Sequence, residues 1–174
     1  SDSDLINDYD EIFVYETDPN SADTDLDSLS DWDEINTWFT DPTETDTDRD
    51  TIADGLEVLT YGTDPPLRDS DSDNILDPEE IKYMGAPWFW DPNNPNTFHG
   101  TIIDGDWDYD GDLLTNFQEI NMTKTSPVLA DTDGDLTNDN LEDSDLDGLT
   151  NYDELYLTFS IPRNPDSDDD NVKD

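Results

Sequence analysis

Aspartates recur at alternate positions along this chain, within a twelve-residue pattern that ends in glutamate. The pattern is Asp-x-Asp-x-Asp-x-apolar-x-(Asp/Asn)-x-x-Glu, and complete copies begin at Asp23, Asp46, Asp69, Asp108, Asp131 and Asp143. Oxygen ligands at positions 1, 3, 5, 9 and 12 of one loop, with the backbone carbonyl of position 7, are the set that surrounds a calcium ion. The sequence therefore predicts repeated metal loops, because solvation alone requires no glutamate at position 12.

Each complete loop contributes five candidate side-chain ligands and one backbone carbonyl. The side chains are Asp23, Asp25, Asp27, Asp31 and Glu34; Asp46, Asp48, Asp50, Asp54 and Glu57; Asp69, Asp71, Asp73, Asp77 and Glu80; Asp108, Asp110, Asp112, Asn116 and Glu119; Asp131, Asp133, Asp135, Asp139 and Glu142; and Asp143, Asp145, Asp147, Asn151 and Glu154. The carbonyls at position 7 belong to Leu29, Ile52, Ile75, Leu114, Thr137 and Leu149.

Both ends of the chain carry partial loops. The first has Asp2, Asp4, Asp8 and Glu11 but no position 1, and the last has Asp166, Asp168, Asp170 and Asp174 but no glutamate. Each end lacks what the other has, so we expect head-to-tail association of copies through bridging calcium, which would build a filament. The alternative is that the chain is a piece of a longer array, and it begins at a serine without a methionine.

The composition agrees with metal binding. The 174 residues carry a formal net charge of −43, with 49 acidic and 6 basic residues, no cysteine and 31% hydrophobic residues. Self-repulsion of this size requires neutralisation, so we expect about six to eight or more Ca²⁺ ions and a largely disordered chain without them. Nucleic-acid binding is excluded by the lack of a basic patch, and no apolar run is long enough to span a membrane.

The spacer after each loop predicts a short helix. Apolar residues at helical spacing, such as Trp32, Ile35 and Trp38, are followed by Thr-Asp-Pro, which ends a helix. The aspartates of this motif, Asp18, Asp41 and Asp64, are either additional ligands or turn-forming residues. The predicted fold class is a calcium-stabilised repeat array of Asp-rich loops with short helices, mostly irregular, with few or no strands.

The loops and spacers together resemble the thrombospondin type 3-like calcium repeats of bacteria and archaea. This resemblance covers nearly the whole chain outside residues 85–107, and it implies extracellular, calcium-loaded modules that act as stalks, spacers or adhesive elements. Dockerin loops are also similar, but dockerins have two copies. EF-hand loops have glycine at position 6. Among the complete loops only the one that begins at Asp143 has it, as Gly148, which puts EF-hand geometry in doubt.

One aromatic and proline-rich insert interrupts the repeats. We divide the chain into repeats at 1–84, the insert at 85–107 and repeats at 108–174. The insert is either a plug packed on its neighbouring repeats or a partner surface. The partner surface would consist of Trp88, Phe89, Trp90, Phe98 and Trp107. His99, the single histidine, has no companion for zinc or catalysis, so a structural role is expected.

These features favour an extracellular or cell-surface structural protein, a stalk or filament subunit that depends on Ca²⁺. The alternative is an adhesion or dockerin-like binding module that uses the insert to hold a glycan or a surface protein. No catalytic motif is present, so an enzyme is not expected. A glycosylation sequon begins at Asn121.

Overall fold

The repeats form loops joined by short helices. The computed structural model describes residues 1–85, 87–88, 90–97 and 100–174, and these residues include no β-strand. The α-helical segments are Asp8–Asp10 (α1), Asp31–Asp33 (α2), Asp54–Leu56 (α3), Asp77–Tyr83 (α4), Asn116–Gln118 (α5) and Asn151–Asp153 (α6). All but α4 continue directly into π-helical turns, at Glu11–Tyr15, Glu34–Trp38, Glu57–Tyr61, Glu119–Thr123 and Glu154–Thr158. Two 3₁₀ turns lie at Asp104–Asp106 and Asp139–Leu141. The mostly irregular repeat array predicted from the sequence is confirmed.

Each described α-helix begins at position 9 of its loop, and in four of the six the side chain at position 8 caps it. The side chain of Ser30 accepts a hydrogen bond from the backbone N–H of Asp33, and Thr115 caps α5 in the same way with Gln118 completing a capping box. The glutamate at position 12 then starts the π-helical turn, which ends at a residue in the left-handed conformation, such as Phe39 or Gly62. None of the described helices is long and apolar enough to cross a membrane.

The loops contain left-handed residues at positions 4 and 6. In the loop that begins at Asp23, these are Leu26 (φ 70°) and Ser28 (φ 91°), and Leu113 at position 6 has φ 82°. The missing glycine at position 6 therefore does not change the backbone conformation, contrary to what its absence suggested. A left-handed residue that is not glycine costs about 1–2 kcal/mol. The aspartate at position 1 offsets part of this cost, since Asp23 accepts hydrogen bonds from the N–H groups of both Leu26 (2.7 Å) and Ser28 (3.2 Å).

The Thr-Asp-Pro aspartates form turns. The Oδ1 of Asp18 accepts from the N–H of Asn20, and the Oδ1 of Asp41 accepts from the N–H of Thr43, both at 3.0 Å. These are Asx turns, which favours the turn-forming role of the motif over direct metal ligation.

The apolar core is small and consists mainly of the side chains at position 7. Leu29, Ile52, Ile75 and Leu114 are at most 7% exposed. Many other large apolar side chains face solvent, including Leu26, Phe39 and Leu136, of which the last is 94% exposed. Most of the buried side chains are polar or charged. So small an apolar core contributes little of the stability that a 174-residue chain needs.

The chain folds into two compact units. One comprises Ser1–Ser72 with Leu76–Asn94, and the other comprises Asp73–Ile75 with Pro95–Asp174. In the first unit Trp90 is buried and packs against Tyr83, with ring centroids 5.3 Å apart. The predicted division into two repeat regions and an insert stays a prediction.

The second unit reveals a loop that the sequence did not. In ordinary loops the N–H of position 9 donates to the carbonyl that precedes position 1, as Asp31 does to Ala22 at 3.1 Å. Asp104 makes the same bond to Pro95 at 3.0 Å, and its Oδ2 accepts from the N–H of Thr97. By these bonds Asp104 matches position 9 of the other loops, so we place a degenerate loop here, whose register would begin at Asn96. The step from the loop at 69 to the loop at 108 consists of 27 and 12 residues, instead of a 23-residue step with 16 extra residues.

Candidate metal centre

The two carboxylate oxygens of Asp48 and of Asp50 have different tasks. In the loop that begins at Asp46, the Oδ1 of Asp48 accepts from the N–H of Asp50 (3.0 Å), and the Oδ1 of Asp50 accepts from the N–H of Ile52 (2.8 Å). The Oδ2 atoms of Asp48 and Asp50 are buried and have no hydrogen-bond donor. One oxygen therefore holds the loop closed, and the other faces its interior, where it can coordinate a cation.

Most glutamates at position 12 are fully buried. Glu11, Glu34, Glu57, Glu119 and Glu154 have no exposed surface. Both carboxylate oxygens of Glu11 and Glu119, and the Oε2 of the other three, lack a hydrogen-bond donor. A buried carboxylate without a donor or a counter-charge is strongly unfavourable, so these groups need a cation or a proton.

The residue at position 9 lies close to carboxylates of the preceding repeat. Carboxylate oxygens of Asp27, Glu34 and Asp54 lie within 4.8 Å of one another, and so do those of Asp50, Glu57 and Asp77. Asp54 and Asp77 are each at position 9 of the following repeat. In these repeats, one cluster combines positions 5 and 12 with position 9 of the following repeat. Asp23, Asp25 and Asp27 form another cluster, of positions 1, 3 and 5 of one loop.

Hydrogen bonds hold each position 9 carboxylate in place. The Oδ1 of Asp54 accepts from the N–H of Thr47 at 2.9 Å, and its Oδ2 accepts from the hydroxyl of Thr47 at 2.7 Å. Asp31 makes the same pair of bonds with Thr24, at 2.7 Å each. Position 2 therefore fixes a carboxylate that lies against the preceding repeat.

Burial and mutual repulsion raise the pKa values of these acids. Burial, with the carboxylates of Asp25 and Asp27, raises the pKa of Glu34 to about 8. Burial, with Asp110 and Asp112, raises the pKa of Glu119 to about 10. Near pH 7 such groups would bind a proton in the absence of a cation, and a bound cation would displace it.

Basic side chains do not supply the missing charge. Among the described residues, the ion pairs join Ser1 to Asp8, Arg49 to Glu44 and Lys82 to Glu79, all at the surface. Arg163 instead donates to the carbonyl of Thr123, and Lys173 to the carbonyl of Leu146. Buried Asp and Glu groups are thus positioned to hold metal ions.

The loops are not equally enclosed. Asp2, Asp4 and Glu11 form a cluster at the N-terminal partial loop. In the loop that begins at Asp131, Glu142 has extended backbone and is partly exposed, because a 3₁₀ turn replaces the π-helical turn. Together with Asp133 and Asp135 it lines an open depression of about 390 Å³. In the last loop Asp170 and Asp174 are exposed, and Asp174 accepts from the N–H of Ser167 at 2.9 Å.

Asparagine replaces aspartate at position 9 where two loops adjoin without a spacer. The Nδ2 of Asn116 donates to the carbonyl of Asp104 at 2.7 Å, and the Nδ2 of Asn151 donates to the carbonyl of Asp139 at 2.6 Å. A carboxylate has no proton to donate there. Asn116 and Asn151 thus make the same contact, in which an asparagine at position 9 donates to the carbonyl at position 9 of the loop directly before it.

The described tryptophans of the insert differ in burial, since Trp90 is buried whereas Trp88 and Trp107 are half-buried. Trp90 is 1% exposed, which removes it from an accessible partner surface, and Trp88 meets Tyr83 edge-on at 5.9 Å between ring centroids. Trp107 packs against Tyr109. Phe89, Phe98 and His99 lie outside the described residues.

The sequon lies in a π-helical turn. Asn121 is exposed, but Thr123 is 2% exposed, and its hydroxyl bonds with that of Thr125 at 2.7 Å. Glycosylation of Asn121 stays a prediction.

Comparison with known proteins finds local likeness only. No family model matches the chain, and no curated protein matches it. One solved chain, described as the B domain of a biofilm-associated protein, is similar at 40% identity over 26% of this chain and 11% of that chain, with a TM-score of 0.26. Another, described as the BSP domain of a biofilm-associated protein, is similar at 42% identity over 25% of this chain and 7% of that chain, with a TM-score of 0.25. The matched part is about a quarter of this chain and a small part of the solved chains.

Proposed function

We propose that this chain is an extracellular structural protein whose repeats fold around Ca²⁺, of the thrombospondin type 3-like kind. The observation that carries the proposal is a set of five position 12 glutamates, which have no exposed surface and retain carboxylate oxygens without donors: Glu11, Glu34, Glu57, Glu119 and Glu154. A fold that buries such groups together is stable when divalent cations neutralise them. The role is structural rather than catalytic, because the carboxylates are assigned to the metal.

Calcium suits these clusters better than magnesium. The donors are carboxylate oxygens, and two clusters share the position 5 aspartate, as Asp27 is shared in the loop that begins at Asp23. Ca²⁺ accepts six to eight oxygens in flexible geometry, whereas Mg²⁺ keeps several waters in a strict octahedron. We assign one ion to positions 1, 3 and 5 and a second to positions 5 and 12 with the next position 9. In this arrangement the second ion joins neighbouring repeats.

An extracellular location follows from the metal. Multi-site loops of modest affinity fill at millimolar calcium, which is the concentration outside cells. The stalk role follows from repeats that are linked in series by ions. Head-to-tail assembly is part of the proposal, and electron microscopy of the chain in calcium and in excess chelator tests it.

The decisive experiment is a titration of the chelator-treated full chain. Circular dichroism and small-angle scattering should report an expanded chain that becomes compact with Ca²⁺, while calorimetry counts the ions. Magnesium and a monovalent salt at matched ionic strength are the controls, since screening alone also reduces charge repulsion. A chain that is equally compact in chelator, or that binds no Ca²⁺, would overturn the proposal.

A further inference from the structure

A hydroxyl group contacts the buried glutamate in three repeats. The Oγ1 of Thr40 donates to the Oε1 of Glu34 at 3.2 Å, and the Oγ1 of Thr63 donates to the Oε1 of Glu57 at 3.0 Å. Ser160 donates to the Oε1 of Glu154 at 3.4 Å. Each hydroxyl lies six residues after its glutamate. Thr40 and Thr63 are the threonines of the Thr-Asp-Pro motif, for which the sequence suggested only helix termination.

The π-helical turn makes this contact possible. The carbonyl of Glu57 accepts from the N–H of Gly62, which has φ 75°, and the chain then reverses. Thr63 follows directly and is 4% exposed, so its side chain is held inside the repeat. The same geometry recurs at Glu34 with Phe39 as the left-handed residue. A regular α-helix would carry the sixth residue away from the glutamate side chain.

The contact divides the glutamate into two unlike oxygens. The Oε1 of Glu57 is occupied by Thr63, while its Oε2 is buried without a donor and the carboxylate lies within 4.8 Å of oxygens of Asp50 and Asp77. The Oε2 of Glu34 is in the same position relative to Asp27 and Asp54. The free oxygen is therefore the one available to a cation.

Two other repeats provide an internal contrast. Both oxygens of Glu11 lack a donor although Thr17 follows it by six residues, and the hydroxyl of Thr17 is also without a partner. Both oxygens of Glu119 lack a donor because Thr125 bonds with Thr123 instead. The hydroxyl contact is thus a property of particular repeats rather than of every buried glutamate.

We infer that Thr40, Thr63 and Ser160 are positioning residues of the calcium sites, each fixing one glutamate oxygen so that the other is presented to the ion. This inference rests on the proposed calcium function. Groups that orient a ligand in this way typically change metal affinity by about 10–100-fold when they are removed. A neutral donor with a bond of 3.0–3.4 Å belongs near the lower end of that range.

The test compares Thr63→Val with Thr63→Ser in the full chain. Calcium-buffered titrations followed by NMR on the backbone amides of residues 46–57 report this loop separately from the others. Thr63→Val should weaken calcium binding there about 10-fold, because the valine fills the space without donating. Thr63→Ser should restore the affinity to within about 3-fold of the original, since its hydroxyl can still reach Glu57.

The matched control is Thr60→Val, which changes an exposed threonine on the same π-helical turn. It should leave the titration unchanged. If Thr63→Val binds calcium as the unchanged chain does, or if Thr63→Ser is as weak as Thr63→Val, the positioning role is wrong. If the unchanged chain itself binds no calcium, the proposed function fails instead, so the two failures are distinguishable.

Discussion

Asp27 and Gly55, 28 residues apart, join consecutive repeats through a hydrogen bond of 2.7 Å from the Gly55 N–H to the Asp27 Oδ2. Asp112 and Asn140, also 28 residues apart, repeat the bond at 3.0 Å. In both cases position 5 of one loop meets position 10 of the next. The carboxylate that would hold a cation in one repeat is therefore attached to the backbone of its neighbour.

Gly55→Ala should destabilise the calcium-loaded chain. A Cβ at Gly55 would lie 2.1 Å from the backbone oxygen of Asp27, and that oxygen cannot move without separating the repeats. We expect a loss of at least about 1–3 kcal/mol, measured as a lower midpoint of thermal unfolding in saturating calcium. Gly85→Ala is the control, since nothing lies within 4 Å of a Cβ there. Equal midpoints for the two variants would contradict the close contact.

Asp54→Asn should weaken calcium binding in the preceding repeat more than in its own. Asp54 lies within the cluster of Asp27 and Glu34, and the amide removes a charge while retaining an oxygen that can accept from Thr47. Site-resolved NMR titration should show the larger loss of affinity, about 10-fold or more, in residues 23–34. Asp41→Asn is the control, because Asp41 is an exposed turn residue. A loss confined to residues 46–57 would show that position 9 binds the ion of its own loop, as the sequence pattern predicts.

Asn116→Asp should destabilise the second unit although it adds a carboxylate to an acidic site. The Nδ2 of Asn116 donates to the carbonyl of Asp104, and the substitution brings two acceptors together in a place with no exposed surface. We expect about 1–3 kcal/mol less stability in urea unfolding at saturating calcium. Asn121→Asp, at an exposed position of the same unit, should have little effect. A more stable Asn116→Asp chain would mean that extra charge for the metal outweighs the lost bond.

In excess chelator the chain should become more compact as the pH falls. Burial raises the pKa of Glu34 and of Glu57 from 4.5 to about 8 in the folded chain. Stability from a raised carboxyl pKa is fully present below about 4.5 and is lost as the pH rises towards 8, because in this range the unfolded chain releases its proton while the folded chain retains it.

Circular dichroism and scattering at about pH 5 and pH 8.5 in chelator test this dependence. In saturating calcium the trend should reverse, since protons compete with the ion for the same oxygens. A metal-free chain that is more compact at the higher pH would contradict the buried, uncompensated state of these glutamates.

The acidic side chains and the local fold are predictable from the sequence. Which carboxylates from neighbouring repeats lie together is not. Asp23 and Glu34 mark the limits of a loop by their spacing, and Ser30 indicates where the helix begins. However, the pattern gives only distances along the chain, so Asp54 was assigned to its own loop. Its contact with Asp27 depends on how one repeat stacks on the previous one.

The degenerate loop was missed for a related reason. Its positions 1, 3, 5 and 12 are Asn96, Phe98, Gly100 and Trp107, so a search for carboxylates passes over it. Asp91–Pro92 before it and Asp104 within it match the spacing of the Thr-Asp-Pro motif and of position 9, and could have revealed the register. Backbone hydrogen bonding identifies it because Asp104 closes the loop through its N–H regardless of the side chains.

Asp104 and its neighbour Gly105 pack against the preceding repeat, although their own loop lacks the acidic ligands of the others. Asp104 has no exposed surface and its Oδ1 lacks a donor, while a Cβ on the adjacent Gly105 would lie 2.4 Å from the backbone oxygen of Asp73. This loop has no acidic residue at positions 1, 3, 5 or 12, but the residues that face the previous repeat are an aspartate and a glycine, as at Asp54 and Gly55. Positions 9 and 10 of a repeat therefore contact the repeat before it whether or not their own loop carries carboxylates.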